Sequence, residues 1–290
     1  MYRDADALVN LTGATLLRDE HRRVPVRIYL ETDPVAPQIE VAEGRPFTIE
    51  LLAAHTHYLT FGENLGAADC AVPTGCVAYR PTRQPVVLDW WEPRAGDASP
   101  APTRPFTTVG SWHQTGKDVV WQGETYTWSK HHEFLKLLDL PGRTSQPLEL
   151  ALAGGDADTL ALLGRHGWRT LDALRLTQHP DPYREYVRTS RGEFTVAKDQ
   201  NVRLRSGWFS DRSACYLAAG RPVVTQETGF SKTIPTGKGL FAFQTADQAV
   251  AALEEIASDY PRHSRAASEI AAECFSADTV LRRLCRDAGL

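Results

Sequence analysis

Short apolar runs alternate with a helical pattern along the first 95 residues of the chain. Three runs have the length and composition of strands, at 7–11, 26–30 and 58–61. Between the last two, apolar residues recur at helical spacing from Phe47 to Ala54. Strands that alternate with helices favour a parallel sheet with crossover connections. Because three strands make a thin sheet, we expect a reduced N-terminal domain.

The alternation is more regular after residue 104. Strands are predicted at 106–109, 148–152, 194–197, 222–225 and 240–243, and helices at 129–138, 156–164, 180–189, 210–219, 245–258, 261–274 and 277–287. Asp156 suits the N-cap of its helix, and Pro180 suits the first turn of the next one. The whole pattern predicts an α/β protein in which a second, complete Rossmann-like domain follows a smaller one.

A stretch rich in proline, glycine and alanine at 94–105 separates the two patterns. Such composition is typical of a domain boundary. The predicted division is a small domain at 1–95, a linker at 96–103, a larger domain at 104–275 and a final helical segment at 276–290.

Composition narrows the choice of compartment and partner. The 290 residues are 42% hydrophobic and 23% charged, with a formal charge of −4, as in an ordinary globular protein. This charge argues against nucleic acid as a partner. The longest apolar runs, such as Ala249–Leu253, are too short to span a bilayer. Charges at Arg3 and Asp4 argue against a signal peptide, and five scattered cysteines suit a reducing cytoplasm.

The chemistry is expected where strands lead into helices. In open α/β sheets, ligands bind outside the carboxyl ends of the strands. Segment 198–212 is basic and leads into a helix near Ser210. A helix N-terminus together with guanidinium groups attracts phosphate. The alternative is a solvated basic loop in which Trp208 and Phe209 pack in the core.

Residues 211–224, with the sequence DRSACYLAAGRPVV, carry a family resemblance. With the loop at 227–230 and the run at 239–243, they resemble the donor-site helix and strand of group 1, family 4-like GT-B glycosyltransferases. The resemblance implies two Rossmann-like domains, a small or truncated acceptor-side domain and a complete donor-binding domain. It also implies that the final helix packs back on the N-terminal domain.

The resemblance implies a metal-independent site without a cofactor, whose donor is a nucleotide-diphospho-sugar, with a UDP-sugar as first choice. The donor-binding residues that it implies are Gly110, Ser111, Trp112, Lys198, Arg203, Arg205, Ser210, Asp211, Arg212, Glu227, Thr228, Gly229 and Phe230.

One departure from the family pattern concerns the ribose. Many members carry a Glu-x7-Glu pair whose second glutamate holds the ribose hydroxyls, but Gly207 and Cys215 stand at these two positions. Arg212 falls where a subset of the family carries arginine, so the chain resembles a divergent branch. Asp211 is the nearest carboxylate, one helical turn away from the expected place.

The acceptor side offers several polar candidates. Asp33, with Glu31 beside it, follows a predicted strand and is the candidate general base, although an aspartate before proline is also a common turn residue. His55, Glu63 and Asn64 are candidate acceptor-side residues, and a histidine at a helix end can equally be a cap. The adjacent histidines at 131 and 132 project to different sides of a helix, so no metal site is predicted.

The leading hypothesis is a glycosyltransferase that acts on a small-molecule or glycan acceptor. A non-catalytic GT-B-like binding or scaffolding protein is the alternative. An epimerase or a nucleic-acid base glucosyltransferase on the same fold is a third hypothesis. The N-terminal domain is expected to be naturally short, cut short at its start, or completed by a second copy in a homodimer, since exposed sheet edges favour pairing.

Overall fold

The computed structural model describes residues 2–92 and 100–290, so positions 96–99 of the predicted linker lie outside the described residues. Within those ranges the strands form two parallel sheets and one antiparallel hairpin. No helix in this part of the chain is both long enough and apolar enough to cross a membrane.

The N-terminal sheet has four parallel strands in sequential order. They are β1 (Ala7–Leu11), β2 (Val26–Glu31), β3 (His57–Thr60) and β4 (Arg80–Pro81). The helices between them are α1 (Asp19–Arg22), α2 (Ala36–Ala42) and α3 (Pro46–Ala53). The three predicted strands and the predicted helix form where expected. β4, α1 and α2 were not predicted, because such short elements carry little periodicity.

β1 leaves one edge of this sheet open. Val9 and Leu11 are 50% and 53% exposed, and the register of β1 with β2 places Val9 on the same face as Ile28. The last helix, α12 (Ala277–Asp287), covers the middle of that face, where Leu284 packs against Ile28. The C-terminal helix therefore completes the N-terminal core, while Val9 and Leu11 of β1 stay exposed.

The C-terminal sheet has six parallel strands in the order β12-β11-β10-β5-β8-β9. They are β5 (Phe106–Ser111), β8 (Leu148–Ala153), β9 (Arg169–Asp172), β10 (Gly192–Thr195), β11 (Val223–Gln226) and β12 (Leu240–Phe243). This is the doubly wound order of Rossmann domains, and its direction of winding reverses between β5 and β10. Ligands of such sheets bind at that switch point.

Eight helices pack around the C-terminal sheet in the described residues. They are α4 (His131–Leu135), α5 (Ala157–Arg165), α6 (Ala173–Thr177), α7 (Pro180–Thr189), α8 (Asp199–Arg203), α9 (Asp211–Ala218), α10 (Ala246–Ser258) and α11 (Tyr260–Phe275). Asp156 caps α5, accepting a hydrogen bond from Thr159 N at 2.8 Å. β9, α6 and α8 were not predicted. Residues 129–138 form a shorter helix than predicted, because the chain turns through Pro141 soon after α4.

A hairpin interrupts the crossover between β5 and α4. Its strands are β6 (Val119–Trp121) and β7 (Glu124–Tyr126), neither of which was predicted. Val119 and Trp121 pack in one apolar cluster with Val35 and Ile39 of the N-terminal domain. The hairpin thus belongs to the C-terminal domain in sequence but attaches to the N-terminal domain in space.

Candidate functional site

The carboxyl ends of the two sheets meet across a narrow cleft. Trp208 Nε1 donates a hydrogen bond to the carbonyl of Thr32 over 3.0 Å, just after β2. Asn64 Nδ2 donates to the carbonyl of Arg205 over 2.8 Å, just after β3. The loops that were expected to bind ligands on each domain therefore face one another.

Two glycines make this close approach possible. A Cβ on Gly207 would lie 2.3 Å from Asn64 N, and one on Gly229 would lie 2.9 Å from Asn64 Nδ2. Both glycines also have positive φ angles, of 79° and 103°, which L-residues with side chains rarely adopt. Gly207 is therefore required by the packing of the two domains.

A cavity of about 110 Å³ lies at the switch point between β5 and β10, and we call it the switch-point cavity. It is lined by Thr108, Val109, Gly110, Ser111, Trp112, Gln114, Lys130, Phe134, Leu152, Thr195, Lys198 and Arg212. Five of the predicted donor residues are thus brought together. Trp112 lies there mainly as packing, since it is 6% exposed and stacks on Phe134.

Lys130 is the cation of this cavity that sequence reasoning missed. It is partly buried, and its Nζ lies 5.1 Å from the centre of the Trp208 ring. Among the described residues no carboxylate lies within ion-pair distance of it. Loss of hydration, together with the nearby Arg212 and Lys198, lowers the pKa of Lys130 to about 7. An unpaired buried cation of this kind favours an anionic ligand.

Arg212 is held in place below the cavity. It donates to Glu193 Oε1 at 2.5 Å, to the Val109 carbonyl at 2.7 Å and to Thr195 Oγ1 at 2.8 Å. Glu193 is fully buried, so this pair is fixed inside the sheet. Three of the five N–H donors of Arg212 are thus used inside the sheet, while its guanidinium adds positive potential at the cavity.

Lys198 connects the switch-point cavity to the N-terminal domain. Its Nζ forms an ion pair with Asp33 Oδ2 and lies 3.1 Å from the centre of the Trp128 ring. The Lys198 side chain is 10% exposed, and this burial lowers its pKa although Asp33 acts in the opposite direction. Asp33 Oδ1 is buried without a hydrogen-bond partner in the described part of the chain.

A larger cavity of about 540 Å³, here called the N-terminal cavity, lies on the other side of this ion pair. Its lining residues are Thr12, Tyr29, Glu31, Thr32, Asp33, Ala36, Pro37, Glu40, Gly116, Lys117, Asp118, Val119 and Trp128. The walls come from the ends of β1 and β2, from α2 and from the base of the hairpin. Asp33 is thus the residue at which this cavity meets Lys198.

Glu31 is the buried carboxylate of the N-terminal cavity. It is 2% exposed and accepts hydrogen bonds from Gln38 Nε2 at 2.8 Å and from Thr60 Oγ1 at 2.7 Å. Loss of hydration raises the pKa of Glu31 to about 7, and the two hydrogen bonds oppose that shift. The Glu31 carboxyl group therefore ionises near neutral pH.

The two other predicted arginines lie outside both cavities. Arg203 bonds to the hairpin, donating to the Thr125 carbonyl at 2.9 Å and to Glu124 at 2.8 Å. Arg205 Nε donates to Asp69 Oδ2 at 2.8 Å, on a loop of the N-terminal domain. In this structure both arginines fasten elements together.

Ser210, Asp211 and the loop after β11 do not line the switch-point cavity, although Arg212 in the first turn of α9 does. Ser210 precedes the helix, and its side chain makes no capping hydrogen bond. Asp211 is exposed. Glu227 accepts a hydrogen bond from the backbone of Gly229, and Thr228 Oγ1 donates to the Trp208 carbonyl at 2.6 Å.

Phe230 and Phe209 pack together in the core, with ring centres 5.1 Å apart. Phe230 was predicted beside the donor, and the structure instead buries it to 1% exposure. For Phe209 the structure agrees with the core alternative of the sequence analysis.

The candidate acceptor residues other than Asp33 are structural in this arrangement. His55 is 5% exposed, with its Nδ1 at 2.8 Å from the Leu51 carbonyl, and burial lowers its pKa. Glu63 pairs with Arg83 at 2.6 Å, and Asn64 bridges the two domains. None of these three lines the N-terminal cavity.

Of the cavity residues that were not predicted, Lys130 could have been found from the sequence. Lys130 stands at the start of the helix that follows β5, which is where a Rossmann domain presents charge to a ligand. Lys117 and Trp128 flank the hairpin, whose short strands gave no periodicity to place them. In the described part of the chain no group of three or more His, Cys, Asp or Glu residues is arranged to hold a metal ion.

The chain is similar to several solved structures over nearly its full length. AviGT4, a glycosyltransferase involved in avilamycin A biosynthesis, is 11% identical over 98% of this chain and 74% of that one, with a TM-score of 0.61. Anabaena HepE, solved in complex with UDP and glucose, is 12% identical over 90% and 70%, with a TM-score of 0.54. This chain has the GT-B fold.

Sucrose-phosphate synthase from Thermosynechococcus elongatus has the same GT-B architecture, at 12% identity over 97% of this chain and 72% of that one, with a TM-score of 0.59. No protein-family model matches the chain, and no curated protein does. The GT-B fold is therefore shared at very low sequence identity, as expected of a divergent branch.

Proposed function

We propose that this protein transfers a glycosyl group from a nucleotide-diphospho-sugar to a hydroxyl group of a small-molecule or glycan acceptor. The observation that carries this function is Lys130, a partly buried ammonium without an anionic partner at the switch point of the donor-type sheet. Lys198 stands in the same cavity. Two lysines at this position suit the charge of a diphosphate.

The donor diphosphate is proposed to bind Lys130 and Lys198 in the switch-point cavity. Gly110 and Ser111 supply backbone at the end of β5, and Arg212 adds positive potential from below. These charges stabilise the leaving diphosphate without a metal ion. We take UDP as the first nucleotide to test, because HepE was solved with UDP and glucose.

The ribose must be recognised without the family's usual carboxylate. Cys215 stands in that place, and burial raises the pKa of its thiol to about 12, so the thiol stays neutral. A neutral thiol is a poor acceptor for two ribose hydroxyls. We therefore expect the phosphates to contribute more of the donor affinity here than the ribose does.

Asp33 is proposed as the general base for the acceptor. An acceptor in the N-terminal cavity would present its hydroxyl to this carboxylate, which takes the proton. The hydroxyl oxygen then bonds to the anomeric carbon while the bond from that carbon to the diphosphate oxygen breaks. The nucleoside diphosphate leaves with the electron pair, facing the lysines.

A nucleotide- or sugar-binding GT-B protein without catalysis is the second candidate. It is favoured by Gly207 and Cys215, which replace both family carboxylates. Release of UDP from UDP-sugar, above the rate of a protein-free sample, would exclude this candidate. Bound but unchanged UDP-sugar over many hours would support it.

The nucleotide site is tested by thermal unfolding with UDP, GDP and dTDP at millimolar concentration. A ligand that binds the native state raises its melting temperature. We expect a rise with at least one nucleotide and a much smaller rise for Lys130→Ala. Lys238→Ala is the matched control, because Lys238 is exposed and lines neither cavity. If no nucleotide shifts the wild-type protein, the proposed function is wrong.

A further inference from the structure

Lys198 links the two cavities through its ion pair with Asp33. Its side chain lines the switch-point cavity, while its Nζ is paired with Asp33, which lines the N-terminal cavity. Lys198 follows β10 of one domain and Asp33 follows β2 of the other. The ion pair therefore spans the cleft at the point where donor and acceptor would meet.

The ammonium of Lys198 has little freedom to serve two anions at once. Its side chain is 10% exposed, and its Nζ is pressed against the Trp128 ring. Any diphosphate beside Lys130 would compete with Asp33 for this ammonium. A diphosphate carries more charge than one carboxylate and has Lys130 as a second partner, so it is the stronger competitor.

Asp33 depends on Lys198 in the unliganded protein. Its Oδ2 accepts from Lys198 Nζ, and its Oδ1 is buried without a partner among the described residues. While this ion pair holds, Asp33 Oδ2 is bonded to the Lys198 ammonium, which an acceptor hydroxyl would have to displace. When the ammonium leaves, Asp33 remains as a partly buried carboxylate whose Oδ1 has no partner in the described residues, and such a group readily accepts a hydrogen bond from a hydroxyl.

We propose that Lys198 is a positioning residue that moves from Asp33 to the donor diphosphate, so that the base becomes free only when the donor is bound. This inference rests on the proposed function. It gives the reaction an order, with donor before acceptor. After transfer the departing nucleoside diphosphate returns Lys198 to the cleft, Asp33 loses its new proton to water, and the ion pair forms again.

The test is a double-mutant cycle on UDP affinity, measured by titration calorimetry. Asp33→Asn removes the competitor, so UDP should bind about fivefold more tightly, in line with the strength of a partly exposed ion pair. Lys198→Met should weaken UDP binding. In the Lys198→Met background, Asp33→Asn should give a clearly smaller gain than it gives in the wild-type background.

Simple repulsion between Asp33 and the diphosphate predicts the opposite coupling. Without the ammonium to offset it, the carboxylate would repel UDP more, so Asp33→Asn would gain as much or more in the Lys198→Met background. That result would overturn the proposal, and so would unchanged or weaker UDP binding by Asp33→Asn alone. Uridine, which lacks phosphate, should show no gain with Asp33→Asn.

Asp69→Asn is the matched control for loosening of the cleft. Asp69 also pairs with cations of the other domain, Arg205 at 2.8 Å and Lys232, but it lines neither cavity. UDP affinity of this variant should stay within about twofold of wild type. A crystal structure of the wild-type UDP complex gives a readout without mutation, because Lys198 should lie on the diphosphate and away from Asp33.

The transfer of Lys198 can be wrong while the proposed function holds. If the wild-type protein binds no nucleoside diphosphate, the proposed function and the transfer of Lys198 both fall. If UDP binds with Lys198 still paired to Asp33, only the transfer of Lys198 is overturned.

Discussion

Lys130 lies where burial and the neighbouring Arg212 and Lys198 disfavour its charged form, and Glu193 and Asp33 offset that only in part. Such a charge costs free energy until an anion arrives. Burial disfavours the charged lysine in the free protein. It also strengthens the contact of that charge with a phosphate, because the effective dielectric constant there is low.

The donor affinity should therefore depend on pH through Lys130. Its pKa of about 7 means that the ammonium is lost as the pH rises through neutrality, so the lysine must regain a proton before it binds phosphate. We expect UDP affinity to fall by about fivefold between pH 7 and pH 8. Calorimetric titrations across this range measure the effect.

Lys130→Arg is the control for that pH dependence, because a guanidinium stays charged at every pH used. Ionisation of UDP affects the wild-type protein and the variant equally. The difference between their profiles of UDP affinity against pH therefore reports the titration of Lys130. Profiles that run parallel would show that Lys130 does not titrate in the donor site.

A second prediction concerns the stability of the protein and rests on Glu31. Its pKa is raised from 4.5 to about 7 in the folded protein, so the folded state holds the proton more tightly than the unfolded state. The stabilisation is complete below pH 4.5 and is lost as the pH rises through 7. The loss amounts to about 3 kcal/mol of unfolding free energy.

Glu31→Gln should remove that loss, because the amide keeps the shape of the protonated acid and does not ionise. Urea unfolding from pH 5 to pH 8 should show the variant gaining on wild type as the pH rises. Glu40→Gln, in the wall of the same cavity, serves as the matched control. A Glu31→Gln profile with the slope of wild type would contradict the assignment.

At the scale of the element, the β6–β7 hairpin changes how the domains are joined. Trp121 and Val119 pack on the N-terminal domain, and Arg203 of α8 clamps the other strand by stacking at 4.3 Å on Tyr126. An arginine predicted to bind phosphate therefore stabilises the hairpin instead.

Trp121→Ser should destabilise the protein, since it removes a partly buried ring from this apolar contact. The expected loss is about 1–2 kcal/mol of unfolding free energy, less than for a fully buried tryptophan. Val120→Ser is the matched control, because successive strand residues face opposite ways and Val120 is 56% exposed. Equal losses in the two variants would show that the hairpin does not pack as described.

At the scale of the whole molecule, the interface between the domains is fixed by backbone contact. Gly207→Ala should separate the domains or strain the loop, because the new Cβ would lie 2.3 Å from Asn64 N. Gly44→Ala has a similar positive φ of 73° but open space around its Cβ. We expect Gly207→Ala to cost about 2 kcal/mol more than Gly44→Ala, and to weaken UDP binding as well.

Denaturant unfolding and UDP titration of both alanine variants measure the difference. Because the left-handed backbone penalty is common to the two sites, only the steric contact with Asn64 separates them. Similar losses in both variants would mean that the cleft opens freely around Gly207.

Sequence reasoning reached most of the fold because strands such as Val26–Glu31 and Val223–Gln226 are rich in β-branched and other apolar residues. The shorter elements β4, β6 and β7 escaped, since two or three residues carry no period. The site was predicted less well. The predicted loops do lie at strand ends. What a charged side chain does there depends on its ion-pair partner, since Glu193 pairs with Arg212 and Asp69 pairs with Arg205. Those pairings join residues far apart in sequence and leave no local pattern.

The hairpin also has a consequence for turnover. Because Val119 and Trp121 of the hairpin pack with Val35 and Ile39, a rotation of one domain against the other has to break this apolar contact. If the proposed transfer takes place, we expect this contact to slow release of the nucleoside diphosphate, because product release often requires the two domains to open.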